Sequence, residues 1–179
     1  MPTYAGRMSE RRLVELVDAE GGPVGECTVD EAHAPPGQLH RAFSVLLFDD
    51  GGRVLMQRRA LTKSRFAGRW TNTCCSHPGP GEDMLAAARR RLREELGLEV
   101  GELREVGRFV YRAADPASDT VEHEFDHVLV GECSGEPAPA ADEVDSWRWM
   151  TVDEVRAAIR QSPELHSPWL DGVLSCTIR

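Results

Sequence analysis

Apolar and polar positions along the chain change period several times, and the changes outline the secondary structure. Leu13–Val17 reads as a short strand; a turn at Glu20, Gly21, Gly22 and Pro23 follows, and 24–29 supplies a partner strand. Residues 30–39 are polar and contain Pro35-Pro36-Gly37, which predicts a loop. The nearly unbroken apolar run at 42–48 predicts a buried strand, and Asp49-Asp50-Gly51-Gly52 turns it into a second strand at 54–57. A basic loop at 58–69 leads to a short strand at 70–73 and a Gly/Pro loop at 74–81. The clearest helix is 82–96, where Met84, Leu85, Ala88, Leu92 and Leu96 recur on one face and Gly97 ends the run. Strands follow at 103–111, 121–130 and Val144–Met150, with a loop through Asp115-Pro116. Thr151 and Glu154 form a capping box for a helix to residue 160, and Ser162-Pro163 opens a last short helix. Hairpins mixed with few helices predict an α/β fold, a mixed sheet packed between helices in one domain. That domain takes in 1–179, with residues 1–10 expected to be disordered.

Composition narrows what such a domain does. The 179 residues are 41% hydrophobic, enough for a core. A net charge of −9 excludes a generic nucleic-acid binder and a protein held on anionic lipid, both of which need a basic face. A small anionic ligand then requires local Arg, Lys or metal. Five cysteines, irregularly spaced and without a CxxC pair, predict a reducing compartment and no thiolate zinc site. The first residues lack an apolar signal-like run, and no apolar stretch is long enough to span a bilayer; together these predict a cytoplasmic protein without a membrane partner.

Two groups of residues carry candidate chemistry. Glu94 and Glu95 occupy the last turn of the 82–96 helix, where the dipole disfavours anions by about 0.3–1 kcal/mol each. They are either a solvated Arg/Glu face, with Glu95 four residues after Arg91, or metal ligands. Glu122 and Glu124 are two apart on a strand and share a face. With His33, His40 and His77 they suit a divalent metal if the chain brings them together, and are otherwise exposed polar positions.

The stretch Ser76, Glu82, Arg90-Arg91-Leu92, Glu94-Glu95, Gly97-Leu98 resembles a degenerate Nudix box, a loop–helix–loop that binds Mg²⁺ and a diphosphate. Ser76 stands at the usual glycine and Arg91 at a usual metal-binding glutamate, which weakens the reading as a diphosphate hydrolase. Eight strings in order extend the resemblance: Glu31-Ala32-His33, Leu39-His40-Arg41-Ala42-Phe43, Arg58-Arg59-Ala60-Leu61, Trp70-Thr71-Asn72, Cys75-Ser76-His77-Pro78, Tyr111-Arg112-Ala113, Glu122-His123-Glu124 and Ser167-Pro168-Trp169. Over residues 12–170 the chain resembles the type I isopentenyl-diphosphate Δ-isomerases.

That resemblance implies a Nudix-like fold and the interconversion of isopentenyl and dimethylallyl diphosphate by addition of one proton and removal of another. It implies proton transfer at Cys75 and at Glu124, the latter assisted by Tyr111, with Cys74 a structural neighbour. His33, His40, His77, Glu122 and Glu124 map onto a site for Mn²⁺, Zn²⁺ or Mg²⁺, and Glu95 onto a Mg²⁺ bridging the substrate diphosphate. Arg59, Lys63 and Arg91 match diphosphate-binding bases, and Trp169 matches a residue covering the alkene. Arg65, Arg69, Arg89 and Arg93 read as solvated surface charge. The family often has a lysine at the position of Val29. The expected partner is a C5 diphosphate, with no nucleic acid, and the expected state is a monomer or weak dimer. The alternative is a Nudix-type diphosphate hydrolase.

Overall fold

A computed structural model describes residues 12–177, so the expectation of disorder over 1–10 lies outside the described residues. The elements are β1 (Leu13–Val17), β2 (Pro23–Thr28), α1 (Val29–His33), β3 (His40–Phe48), β4 (Val54–Arg59), β5 (Trp70–Thr71), β6 (Cys74–Ser76), α2 (Met84–Leu96), β7 (Leu103–Ala114), β8 (Val121–Glu132), β9 (Val144–Met150), α3 (Val152–Gln161), a 3₁₀ turn (Pro163–Leu165) and α4 (Leu170–Ser175).

All the described strands join one mixed sheet. Strand β3 is its organiser. It runs parallel to β8 from His40↔Glu124 to Phe48↔Glu132, pairs antiparallel with β6, and meets β1 at Leu16↔His40 and β4 at Phe48↔Val54. Strand β7 lines the other edge of β8, and β9 and β5 flank β4. Both faces of β3 are covered, which is why its sequence is apolar without alternation. Phe43, Val45 and Leu47 pack with Leu55 and Leu129 against Ala87, Ala88, Leu92 and Leu96 of α2. Leu46 faces the other way, with Val54, Met56, Val128 and Val130, under Val155 of α3 and Trp169, Leu170, Val173 and Leu174 around α4. Each fully buried leucine contributes about 1.5–3 kcal/mol of transfer free energy to this two-sided core. The expected mixed sheet packed between helices is thus the observed one. Among the described residues no helix is long and apolar enough to cross a membrane.

Three local expectations need correction. The expected loop at 30–39 begins with α1, because Thr28 and Glu31 form a reciprocal capping box that starts a helix at Val29 rather than prolonging the strand. The expected loop at 74–81 begins with β6, whose Cys74 and Cys75 pair with Val45 and Ser44 of β3. The single terminal helix is two elements, the 3₁₀ turn and α4, separated by the extended residues around His166.

Gly97 ends α2 with φ of 64°, a left-handed cap that returns its amide to Arg93 and Leu92. A Cβ there would lie 3.0 Å from the Ala138 carbonyl oxygen and 3.1 Å from Ala138 Cβ. Gly97→Ala is therefore expected to cost about 1–2 kcal/mol, read as a lower urea midpoint at unchanged slope. A variant as stable as the parent would show that this cap is not under conformational demand.

Candidate active site

One face of β8 is divided along its length. Val128 and Val130 belong to the core under α4, while Glu122, Glu124 and Asp126 continue the same face as three buried carboxylates. The parallel register sets His40 beside Glu124. Strand β6 delivers Cys75 to this face and Cys74 to the α2 face, and the chain leaving β6 places His77. Helix α1 brings His33 in its last turn. The antiparallel register of β7 sets Tyr111 against Glu124.

His33, His40, His77 and Glu124 offer ligand atoms all within 4.8 Å of one another. Glu122 joins through His33, with Nε2 to Oε2 at 2.9 Å. Glu124 Oε1 lies 2.8 Å from His77 Nε2, 3.6 Å from His40 Nε2 and 4.0 Å from His33 Nε2. His33 and His40 each turn Nδ1 to a backbone carbonyl, Val29 at 2.7 Å and Gln38 at 2.8 Å. Those Nδ1 atoms donate, so in the neutral imidazoles each Nε2 presents a lone pair to the carboxylates. His40 Nε2 is buried and has no hydrogen-bond partner. Lone pairs aimed at carboxylates without a proton or cation between them are unfavourable, and a divalent ion satisfies all of them. Three imidazoles with carboxylate oxygen are a donor set for first-row divalent metals. Without an ion, burial works to raise Glu124, but the imidazoles of His40 and His77 beside it outweigh burial and hold the carboxyl well below its ordinary range. Burial pushes His77 down to about 4, against Glu124. Burial also drives Asp126 well above the usual range, reinforced by the charge of Glu124, although Ser44 Oγ donates to it at 2.7 Å.

The cluster opens into a cavity of about 560 Å³, whose wall includes Cys75, Tyr111, Glu122, Glu124 and Trp169. Tyr111 donates its hydroxyl to Glu124 Oε2 at 2.6 Å, and burial together with that carboxylate raises the phenol well above its ordinary pKa. Burial likewise pushes the Cys75 thiol up to about 12, despite the opposing charge of Arg59. Trp169 packs edge-on to Phe66 at 5.3 Å and tilted to Tyr111 at 5.7 Å, and is at once core and cavity wall.

The expected diphosphate bases reach the same cavity. Arg59 lies 5.8 Å from the Trp169 ring centroid and donates to the Arg65 carbonyl oxygen. Lys63 pairs with Glu143. Arg91 is bound to Glu94 and Glu95, both at 2.6 Å, and to Glu143 at 3.2 Å. Burial opposes its charge, and Glu95 and Glu143 outweigh burial, so its pKa rises.

Most of the expected site residues therefore converge; Glu95 does not join the histidine group. It is 4% exposed, and its carboxylate accepts from Arg91 on one oxygen and from Gln57 Nε2, at 3.0 Å, on the other. Only Glu94 fits the solvated-face reading, being exposed and paired with Arg90 and Arg91. Arg65 and Arg69 are corrections. Arg65 lines the cavity with Nε 3.4 Å from Glu122, and Arg69 covers the Phe66 ring and donates to the His166 carbonyl.

Asn72, given no role from sequence, is fully buried between the two walls. Its Oδ1 accepts from Cys75 Sγ and from Trp169 Nε1, both at 3.1 Å, while its amide nitrogen donates to Val45 and Cys74 carbonyls. Its place in the Thr-Asn string ahead of Cys75 was the available signal.

This fold and cavity define a class. Residues 38–171 match the NUDIX domain family. The fold is that of a Deinococcus radiodurans protein, DR0079 (TM-score 0.77, 21% identity, covering 94% of this chain and all of that one), and of a MutT NUDIX hydrolase from Burkholderia pseudomallei (TM-score 0.62, 20% identity, covering 79% and 99%). The chain is 57% identical over 161 residues to an isopentenyl-diphosphate Delta-isomerase of Nocardia farcinica, covering 90% of this chain and 91% of that protein. It is 46% identical over 157 residues to one from Serratia proteamaculans, covering 88% and 86%. Within the NUDIX class, the chain belongs to the isopentenyl-diphosphate Delta-isomerase family.

Proposed function

We propose that this chain interconverts isopentenyl diphosphate and dimethylallyl diphosphate as a single-domain enzyme. The observation that carries the reading is the cavity itself. A thiol from β6 and a Tyr111-bound carboxylate from β8 face it from strands on either side of β3, beside the indole of Trp169.

Allylic transposition needs a proton added to the terminal alkene carbon and another removed from the carbon nearer the oxygen. Cys75 and Glu124 are the two proton-transfer groups, one on each side of the five-carbon chain. The high pKa of Cys75 keeps its proton on sulfur at neutral pH, and Asn72 fixes where that sulfur points. Tyr111 holds a proton against Glu124 Oε2 and orients the carboxylate. Positive charge developing at the tertiary carbon is met by the face of Trp169, a contribution of about 0.5–2 kcal/mol. The wall of Trp169 and Tyr111, with Phe66 packed behind Trp169, excludes water from that carbon.

His33, His40, His77, Glu122 and Glu124 would hold a divalent ion, Mn²⁺, Zn²⁺ or Mg²⁺, which when bound tunes the acidity of Glu124 and fixes its orientation. Glu95 would hold the Mg²⁺ that accompanies the diphosphate, and Arg91, now bonded to Glu95, would turn to the diphosphate with Arg59 and Lys63. The chain would act in the cytoplasm, as a monomer or weak dimer, on a small diphosphate and without nucleic acid or membrane.

Incubation with isopentenyl diphosphate and Mg²⁺ in deuterated water, followed by NMR, tests the reading. Dimethylallyl diphosphate carrying deuterium is the expected product. Release of phosphate or pyrophosphate without transposition would replace the isomerase reading with a hydrolase.

A further inference from the structure

Arg12 stands just before β1, and its carbonyl accepts the amide of Val29 at 2.9 Å, which ties its backbone to the start of α1. Both residues line the cavity, and Val29 contributes no charge there. The other cations on this wall already have partners. Arg59 is on the Arg65 carbonyl, Lys63 on Glu143, Arg90 on Glu82 and Glu94, and Arg91 on three carboxylates. Among the described residues no side chain forms an ion pair or hydrogen bond with the Arg12 guanidinium. Burial, and then the positive charges of Arg90 and Arg91, lower its pKa, and the opposing charges of Glu94 and Glu82, which are themselves paired with Arg90 and Arg91, do not outweigh them. A half-buried guanidinium facing other cations across a cavity is relieved by an anion in that cavity, and its planar fork suits phosphate oxygens.

We propose that Arg12 is a substrate-binding residue whose guanidinium takes the phosphate end of the substrate in this cavity. The anionic character of the ligand follows from Arg12 beside Arg90 and Arg91; the identity of the anion rests on the isomerase reading. Binding of this kind acts on ground state and transition state alike, so it sets KM rather than kcat.

The test uses inorganic pyrophosphate with Mg²⁺ as probe, titrated calorimetrically into the metal-loaded full chain, beside steady-state kinetics with isopentenyl diphosphate. Loss of a charge-assisted contact in Arg12→Ala is expected to raise the pyrophosphate Kd and the KM by about tenfold to a hundredfold. It should leave kcat within about threefold and the melting temperature unchanged. Arg12→Lys should recover part of the affinity and Arg12→Gln little. Unchanged pyrophosphate affinity in both Arg12→Ala and Arg12→Gln overturns the proposal. If the parent makes no dimethylallyl diphosphate yet loses pyrophosphate binding with Arg12, the subsite stands and the isomerase reading falls. The converse pattern removes Arg12 and leaves the reaction.

Discussion

Replacing Cys75 with alanine is expected to lower kcat for isopentenyl diphosphate by about a thousandfold or more, with the fold and metal content retained. A positioned proton-transfer group contributes about 10²–10⁴ in rate, and neither of the two polar side chains bonded around this sulfur, Asn72 and Thr71, is placed to take over from it. Asn72 Oδ1 accepts from the thiol and from the Trp169 indole, so it is not a proton donor in this arrangement. Thr71 Oγ1 stands 3.9 Å from the sulfur and bonds to Asn72 and Ser167. Cys74 supplies the control. It is the adjacent residue, but strand alternation turns it to the α2 core, where it is fully buried with Ala87 and Leu92. Cys74→Ala should cost about 1 kcal/mol of stability through the lost sulfur contacts and leave kcat within about threefold. Equal losses of kcat in the two variants would remove Cys75 from proton transfer. The raised pKa adds a pH signature. A thiol held at about 12 stays protonated from acid to mildly basic solution, so alkylation of Cys75 by iodoacetamide should be slow at pH 8 and accelerate only far above it. Rapid alkylation at pH 8 would mean that the thiolate is stabilised.

Where hydrophobic period and capping chemistry act locally, the sequence suffices to place the elements. The bounds of β1 and β9, the face of α2, the Gly97 cap and the Thr151–Glu154 box all follow from neighbours in the chain. Helix α1 obeys the same capping rule at Thr28 and Glu31, but its five residues are too few to show a period, and Pro35-Pro36-Gly37 just beyond reads as loop. Strand β6 has three residues and is a strand only because β3 offers an unpaired edge. The site depends still more on long-range register. Nothing near His40 in sequence indicates that Glu124 is its cross-strand neighbour, or that Arg65 reaches Glu122. Resemblance to a family supplied the convergence of the histidines. It did not supply the burial of Glu95 under Arg91, nor the exposure of Arg12 to the same cavity as Lys63, because both arise from packing between segments far apart in the chain.

His40→Ala is expected to strip the tightly bound metal and with it most of the activity, by about a hundredfold or more, since ligand and outer-shell losses at metal sites cost 10–100-fold each in affinity or activity. The buried Nε2 of His40 makes no hydrogen bond to the protein, which leaves it free to ligate an ion, and the Gln38 carbonyl fixes the ring for that role. The same ion offsets two buried carboxylates, Glu122 and Glu124, so its removal should also appear as lost stability. An ion present at a thousandfold over its Kd stabilises the fold by about 4 kcal/mol, roughly 10 °C in melting temperature for a chain of this size. EDTA should therefore lower the melting temperature of the parent by about that amount and leave His40→Ala unaffected, as that variant is already without metal. His123→Ala is the matched control. It lies between Glu122 and Glu124 in sequence, but alternation along β8 points it away from the cluster, where its Nδ1 meets the Gly37 carbonyl at 3.1 Å. Elemental analysis should find the parent's metal content in His123→Ala and little in His40→Ala. Equal content in both would move the metal away from β3 and leave the orphaned Nε2 of His40 needing another explanation.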